Sequence, residues 1–121
     1  MGYRSDVAVV IYGDQRDPDK YGALKVLMNT TFKKTYTEFE TSAEWHDHKH
    51  VLEFKIDDVK WYESYLDVQD FMHMLREIED LEGYNYEFMR VGEDTEDIET
   101  RHSGDDVDYV LRVNRSIEVD L

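Results

Sequence analysis

Three histidines at alternate positions, His46, His48 and His50, lie within Trp45-His-Asp-His-Lys-His-Val51. Residues two apart share one face of a strand, so an extended segment would aim three imidazoles at one metal such as zinc. The same parity runs on into Leu52, Phe54 and Ile56, and a continuous strand would drive the histidines into the core. A polar loop between two strands fits the pattern better, and on that reading neither metal nor other cofactor is expected. Glu53-Phe54-Lys55, with Asp57 or Asp47, has the composition of half a magnesium-nuclease centre. Any half-exposed strand rich in Glu and Lys yields that spacing, and a net charge of −15 would repel a nucleic-acid substrate. The acidic run from Gly92 to Glu99 fails as a calcium loop, because counting from Asp94 puts Glu99 at the sixth position, where glycine is needed. There is no cysteine, hence no disulfide, thiolate ligand or cysteine nucleophile. Gly-rich phosphate loops and nucleophile elbows are also missing, so an enzyme is not expected.

Charge is the stronger signal. Between Glu77 and Asp108 there are thirteen carboxylates against two arginines, which accounts for eleven of the fifteen net negative charges. The first thirty-four residues hold six Lys or Arg against four Asp. Such polarity repels nucleic acid and anionic membranes and attracts basic grooves. The carboxylates expected to make contact are Glu93, Asp94, Glu96, Asp97, Glu99, Asp105, Asp106 and Asp108, with Asp70, Glu77 and Asp80 added from a helix. Folded as a hairpin, residues 93–108 would present about one net charge per 4 Å. Duplex DNA presents one per roughly 1.7 Å, so the helix carboxylates would have to share the surface to narrow the gap.

The elements that must position these groups follow from periodicity. Val7 to Ile11 is too continuously apolar for an exposed edge and reads as a central strand buried on both faces. Asp17-Pro18 opens a helix, with Tyr21, Leu24, Leu27, Met28 and Thr31 as its inner stripe and Lys33-Lys34 at its end. Tyr36 to Trp45 is expected to be extended. Leu52, Phe54 and Ile56 alternate as a half-buried strand, and the parity switch at Asp57-Asp58 predicts a bulge or turn. Ser64 is placed to cap a second helix, with Val68, Phe71, Met72, Leu75 and Ile78 facing inward and Gly83 ending it. Strands follow at Tyr84 to Gly92, Glu96 to His102 and Val107 to Val119, with a turn at Ser103 to Asp106. This order predicts a single α+β domain spanning residues 1–121. It would be a two-layer sandwich with a mostly antiparallel sheet and two helices on one face, ferredoxin-like or split βαβ.

At 121 residues, 40% of them hydrophobic and with nine Tyr, five Phe and two Trp, the chain has ample material for a core and too many aromatics for disorder. No apolar run approaches the roughly 20 residues of a membrane span, and Asp6 interrupts a signal-peptide reading, so a cytoplasmic protein is expected.

Met-Gly-Tyr-Arg-Ser-Asp-Val (1–7), Lys60-Trp61-Tyr62-Glu63, Phe88-Met-Arg-Val-Gly-Glu-Asp-Thr-Glu-Asp-Ile-Glu99 and Arg115-Ser116-Ile117 together resemble a group of small tailed-bacteriophage proteins, in the same order along nearly the whole chain. The resemblance brings no catalytic residues. It implies a host-directed or counter-defence role in the cytoplasm of an infected bacterium, in which an acidic surface occupies the nucleic-acid groove of a nuclease, polymerase or CRISPR complex. The expected partner is therefore a basic surface on such a protein, with no direct nucleic-acid or membrane contact, and homodimerisation is compatible with it. Tyr84 or Tyr86 would add an aromatic anchor if exposed. The alternatives are a small-ligand or nucleotide-signal sponge using Arg4, Arg90, Arg101, Arg112 or Arg115, and a structural or morphogenetic phage part. A compact pocket with converging arginines would favour the sponge.

Overall fold

The computed structural model describes residues 3–14, 16–94, 96–103, 111–114 and 116–119; within the last two ranges it describes the side chains of Ile117 and Val119 alone. The architecture is α+β. Five strands, β1 (Ser5–Gly13), β2 (Ala43–His46), β3 (Val51–Val59), β4 (Tyr84–Gly92) and β5 (Ile98–His102), form an antiparallel sheet of order β2-β3-β1-β4-β5. Three helices accompany it: α1 (Pro18–Asn29), α2 (Lys33–Phe39) and α3 (Leu66–Asp80). A separate two-stranded hairpin, β6 (Leu111–Asn114) with β7 (Ser116–Val119), completes the described elements.

The centre of the sheet is β1, as its apolar run predicts. Val9 lies between Phe54 of β3 and Phe88 of β4, and Val7 to Ile11 are buried throughout. Its odd-numbered side chains face the helices. Val7, Val9 and Ile11 pack there with Leu24, Met28, Phe32, Phe39, Phe71, Leu75 and Ile78. Its even-numbered side chains, Ala8 and Val10, meet Val51 and Ile117, with Val91 and Val119 alongside. The terminal hairpin therefore packs on the second face over β1 and β4, a face that a two-layer sandwich would have left to solvent.

Three expected elements require correction. The helix beginning at Pro18 stops at Asn29, and Lys33-Lys34 opens a further helix rather than closing the first. The stretch from Tyr36, expected to be extended, is helical to Phe39, turns once as a 3-10 helix over Glu40–Ser42, and becomes a strand only at Ala43. That makes three helices instead of two. Burial of Phe32 and Phe39 in the core outweighs the strand preference of Thr35, Tyr36 and Thr37. In the C-terminal segment, Leu111 faces Val119 and Asn114 faces Ser116, so the single strand expected there is folded back on itself. The expected turn over Ser103 to Asp106 lies outside the described residues from residue 104 onward.

Local details fix the ends of these elements. Asp17 caps α1 through Asp19 N–H, with Pro18 at the first helical position. The N-cap of α3 is Tyr65 rather than Ser64, and Asp67 accepts from Val68 N–H instead of forming a capping box. Gly83 adopts φ +88° in the turn to β4. Asp58 has φ 54°, and the β1–β3 register shifts between Ser5 and Val7, which is the bulge that the parity switch predicted.

Candidate interaction site

One end of the sheet gathers the termini of four elements. Ser5 at the start of β1 faces Val59 of β3 on one side and Gly92 of β4 on the other. Asp57-Asp58 and Glu93-Asp94 therefore flank the same strand end, about 10 Å apart across two strand spacings. Asp57, Asp58, Glu63, Glu93, Asp94 and Glu96 are all exposed there, alongside the exposed cations Arg4 and Lys60.

Beneath this rim lies an open pocket of about 440 Å³. Tyr3, Trp61, Tyr62 and Phe88 supply aromatic surface, and Glu63, Arg90, Asp97, Glu99 and Arg101 supply charge. Trp61 is held from behind by Phe71, with ring centroids 5.7 Å apart and planes at 81°. Both arginines are engaged. Arg90 donates to Asp97 through two nitrogens at 2.8 and 3.1 Å, to Glu99 at 3.2 Å and to Ser5 Oγ at 3.2 Å. Arg101 donates twice to Glu99, at 2.9 and 3.0 Å.

Tyr3 ties the N-terminal segment into this knot. Its hydroxyl donates to Asp97 at 2.6 Å and accepts from Asp94 N–H at 3.1 Å, while its backbone N–H donates to Tyr62 Oη at 2.6 Å. The Arg90 guanidinium first, and the Tyr3 hydroxyl second, hold the Asp97 carboxyl down at about 2. Gly92 makes the knot possible, because a Cβ at that position would collide with both the Asp97 carboxylate and the Tyr3 hydroxyl.

The carboxylates expected to form one contact surface separate into groups. Glu93, Asp94 and Glu96 are exposed on the β4–β5 turn, whereas Asp97 and Glu99 are half-buried and bonded to arginine. Asp70, 3.3 Å from Lys34 Nζ, and Glu77, 3.4 Å from His73, line a different groove between α2 and α3. Asp80 ends α3 near the beginning of β4, the far end of a nine-residue strand from the turn, a distance of roughly 25–30 Å. Asp105, Asp106 and Asp108 lie outside the described residues. Asp70 and Glu77 therefore line a groove separate from the pocket beside the turn, while Asp57, Asp58 and Glu63 are exposed near the turn carboxylates. Their signal was present in the sequence: the strand break at Asp57-Asp58 turns both side chains outward where β1 begins. Tyr84 and Tyr86 are buried, so neither can serve as an exposed anchor. Tyr65, 40% exposed beside Tyr62, is the accessible aromatic on this side.

The three histidines are dispersed by the β2–β3 turn. His46 ends β2 and lies beside Glu44 and Glu53, His48 is exposed in the turn, and His50 stacks on Tyr21 with ring centroids 5.1 Å apart. They do not converge on one point. Asp47, between them, accepts from the Tyr21 hydroxyl at 2.6 Å and from Lys25 at 3.1 Å. Burial first, and the bond to Asp47 second, push the Tyr21 hydroxyl well above its ordinary range.

No protein-family model matches this chain, and no curated protein or solved structure shows significant similarity to it. Among the described residues, no helix is long and apolar enough to cross a membrane.

Proposed function

We propose that this chain is a non-enzymatic, phage-encoded interaction protein that inhibits a nucleic-acid-handling host or defence protein by docking the acidic end of its sheet on a basic surface. The observation that carries the reading is the collection of six exposed carboxylates, Asp57, Asp58, Glu63, Glu93, Asp94 and Glu96, around one strand end where Arg4 and Lys60 are the exposed cations. Six against two leaves a local net charge of −4. That favours steering toward a cationic partner, with the aromatic pocket receiving one of its side chains. The resemblance to phage proteins supplies the expected setting. The order β2-β3-β1-β4, with helices in both crossovers, supports a ferredoxin-like reading extended by β5.

A small-ligand sponge is the second reading, favoured by Arg90 and Arg101 converging on the pocket. Its difficulty is electrostatic. Glu63, Asp97 and Glu99 outnumber the two arginines lining the same pocket, so a phosphate or nucleotide would meet net negative charge.

The test is capture from a bacterial lysate at low salt, comparing wild type, a variant with the six rim carboxylates changed to amides, and one with Asp70, Glu77 and Asp80 changed. The rim variant should lose the captured protein and the helix variant should keep it. Elution should occur at a modest salt step, and duplex DNA should compete. Capture that survives both rim neutralisation and high salt defeats the proposal.

A further inference from the structure

The hairpin formed by β2 and β3 places three potential ligands on the face opposite the helices. Glu44 stands directly across the ladder from Glu53, and His46 follows Glu44 two residues later on the same face. His46 Nε2 lies 3.2 Å from Glu53 Oε1 and 3.8 Å from Glu44 Oε2, and one ligand atom from each residue lies within 4.8 Å of the others. Two atoms bound to the same tetrahedral zinc, at about 2.0–2.1 Å each, are roughly 3.4 Å apart. The two observed separations bracket that value.

The ladder also sets two carboxylates against each other, an arrangement that a bound cation would relieve. Like charges directly opposite each other in an antiparallel ladder repel. Among the described residues, neither Glu44 nor Glu53 pairs with a lysine or arginine; both approach His46. Glu53 has a side chain only 14% exposed, so water screens its part of that repulsion poorly. The site is also held in place. Lys49 N–H closes the following turn on His46 O at 3.1 Å, and the Tyr21 and Lys25 bonds to Asp47 anchor the turn to α1.

We propose that Glu44, His46 and Glu53 form a three-ligand site for a divalent transition ion of the zinc class. One imidazole and two carboxylates suit zinc and leave a fourth position open to water. The site lies toward the turn end of β3, away from the acidic end at Asp57-Asp58, and does not depend on the partner-binding reading.

Titration of tag-free, chelator-washed protein with Zn²⁺ at neutral pH, followed by calorimetry and by the rise in Tm, tests the assignment. One ion should bind per chain. His46→Ala should abolish binding over the same concentrations, and Glu53→Gln should weaken it about tenfold or more. The double variant His48→Ala/His50→Ala should bind as wild type does. Mg²⁺, a hard ion that prefers oxygen ligands in octahedral geometry, should bind far more weakly. No binding, retention in His46→Ala, loss in the His48/His50 variant, or equal binding of Mg²⁺ would each overturn the site. Circular dichroism of the unliganded variants separates misfolding from ligand loss. If His46→Ala is misfolded, Glu53→Gln decides: undiminished zinc affinity in that variant overturns the site.

Discussion

Replacing Phe71 tests whether the pocket is built from the core outward. Phe71 is 2% exposed and makes edge-on contacts with Phe39, Phe54 and Trp61 at centroid distances of 5.0, 5.4 and 5.7 Å. Each such pair contributes about 0.5–1.5 kcal/mol beyond the area it buries. Leucine retains most of the apolar volume but loses all three pairs, so Phe71→Leu should cost about 2 kcal/mol after partial repacking. Phe71→Ala also leaves a cavity and should cost about 4 kcal/mol. At about 2.1 cal/mol/K per residue, a chain of 121 residues unfolds with roughly 250 cal/mol/K, so each kcal/mol moves Tm by about 4 °C. The expected drops are therefore about 8 °C for leucine and about 16 °C for alanine. Thermal unfolding followed by circular dichroism measures both. In a Trp45→Phe background, fluorescence reports Trp61 alone, and its emission should shift to the red in both variants as the pocket wall loosens. A leucine variant within about 2 °C of wild type, with unchanged Trp61 emission, would refute the claim that stacked rings hold the wall.

The close approach at Gly92 predicts that Gly92→Ala must displace Tyr3 or Asp97, at a cost of about 1–3 kcal/mol, readable as a lower Tm; no change would mean that the N-terminal segment is not packed as described. For Asp97, the folded value of about 2 lies below the ordinary 3.8. Its contribution is therefore fully present above about pH 4 and lost as pH falls toward 2. Wild type should lead Asp97→Asn in urea midpoint at pH 6, and the lead should shrink between pH 4 and pH 2.5. A lead independent of pH would contradict the assigned role of the carboxylate.

The legible parts of the fold were those where one local pattern had one physical solution. Val7 to Ile11 could be satisfied only by burial on both faces, and the parity switch at Asp57-Asp58 required a residue out of register. The spacing-predicted stripe of α3 matches the buried residues Val68, Phe71, Leu75 and Ile78, while Met74 is buried beside them and Met72 is half-buried. In the segment Lys33–Phe39, Thr35, Tyr36, Thr37 and Phe39 have strand-like propensities, and the tertiary contacts of Phe32, Tyr36 and Phe39 outweigh them. The terminal hairpin turns at Asn114 to Ser116 without a glycine, so the usual turn signal was missing. Counting charges along the chain had the same weakness. Asp97 and Glu99 look available in a linear acidic run, yet the register that sets Arg90 opposite Glu99 occupies both. Asp57 and Glu63, distant in sequence from Glu93, become its neighbours only through β1.

The position of β1 also shapes how the chain reaches its native state. Val9 must find Phe54 on one flank and Phe88 on the other, and neither partner is brought close by a short turn. Loop-closure entropy must be overcome before either ladder contributes, which places this molecule among the slower-folding mixed domains. Until both flanks arrive, an uncovered Val-Ala-Val-Val-Ile strand is available to other nascent copies, so refolding yield should fall as protein concentration rises.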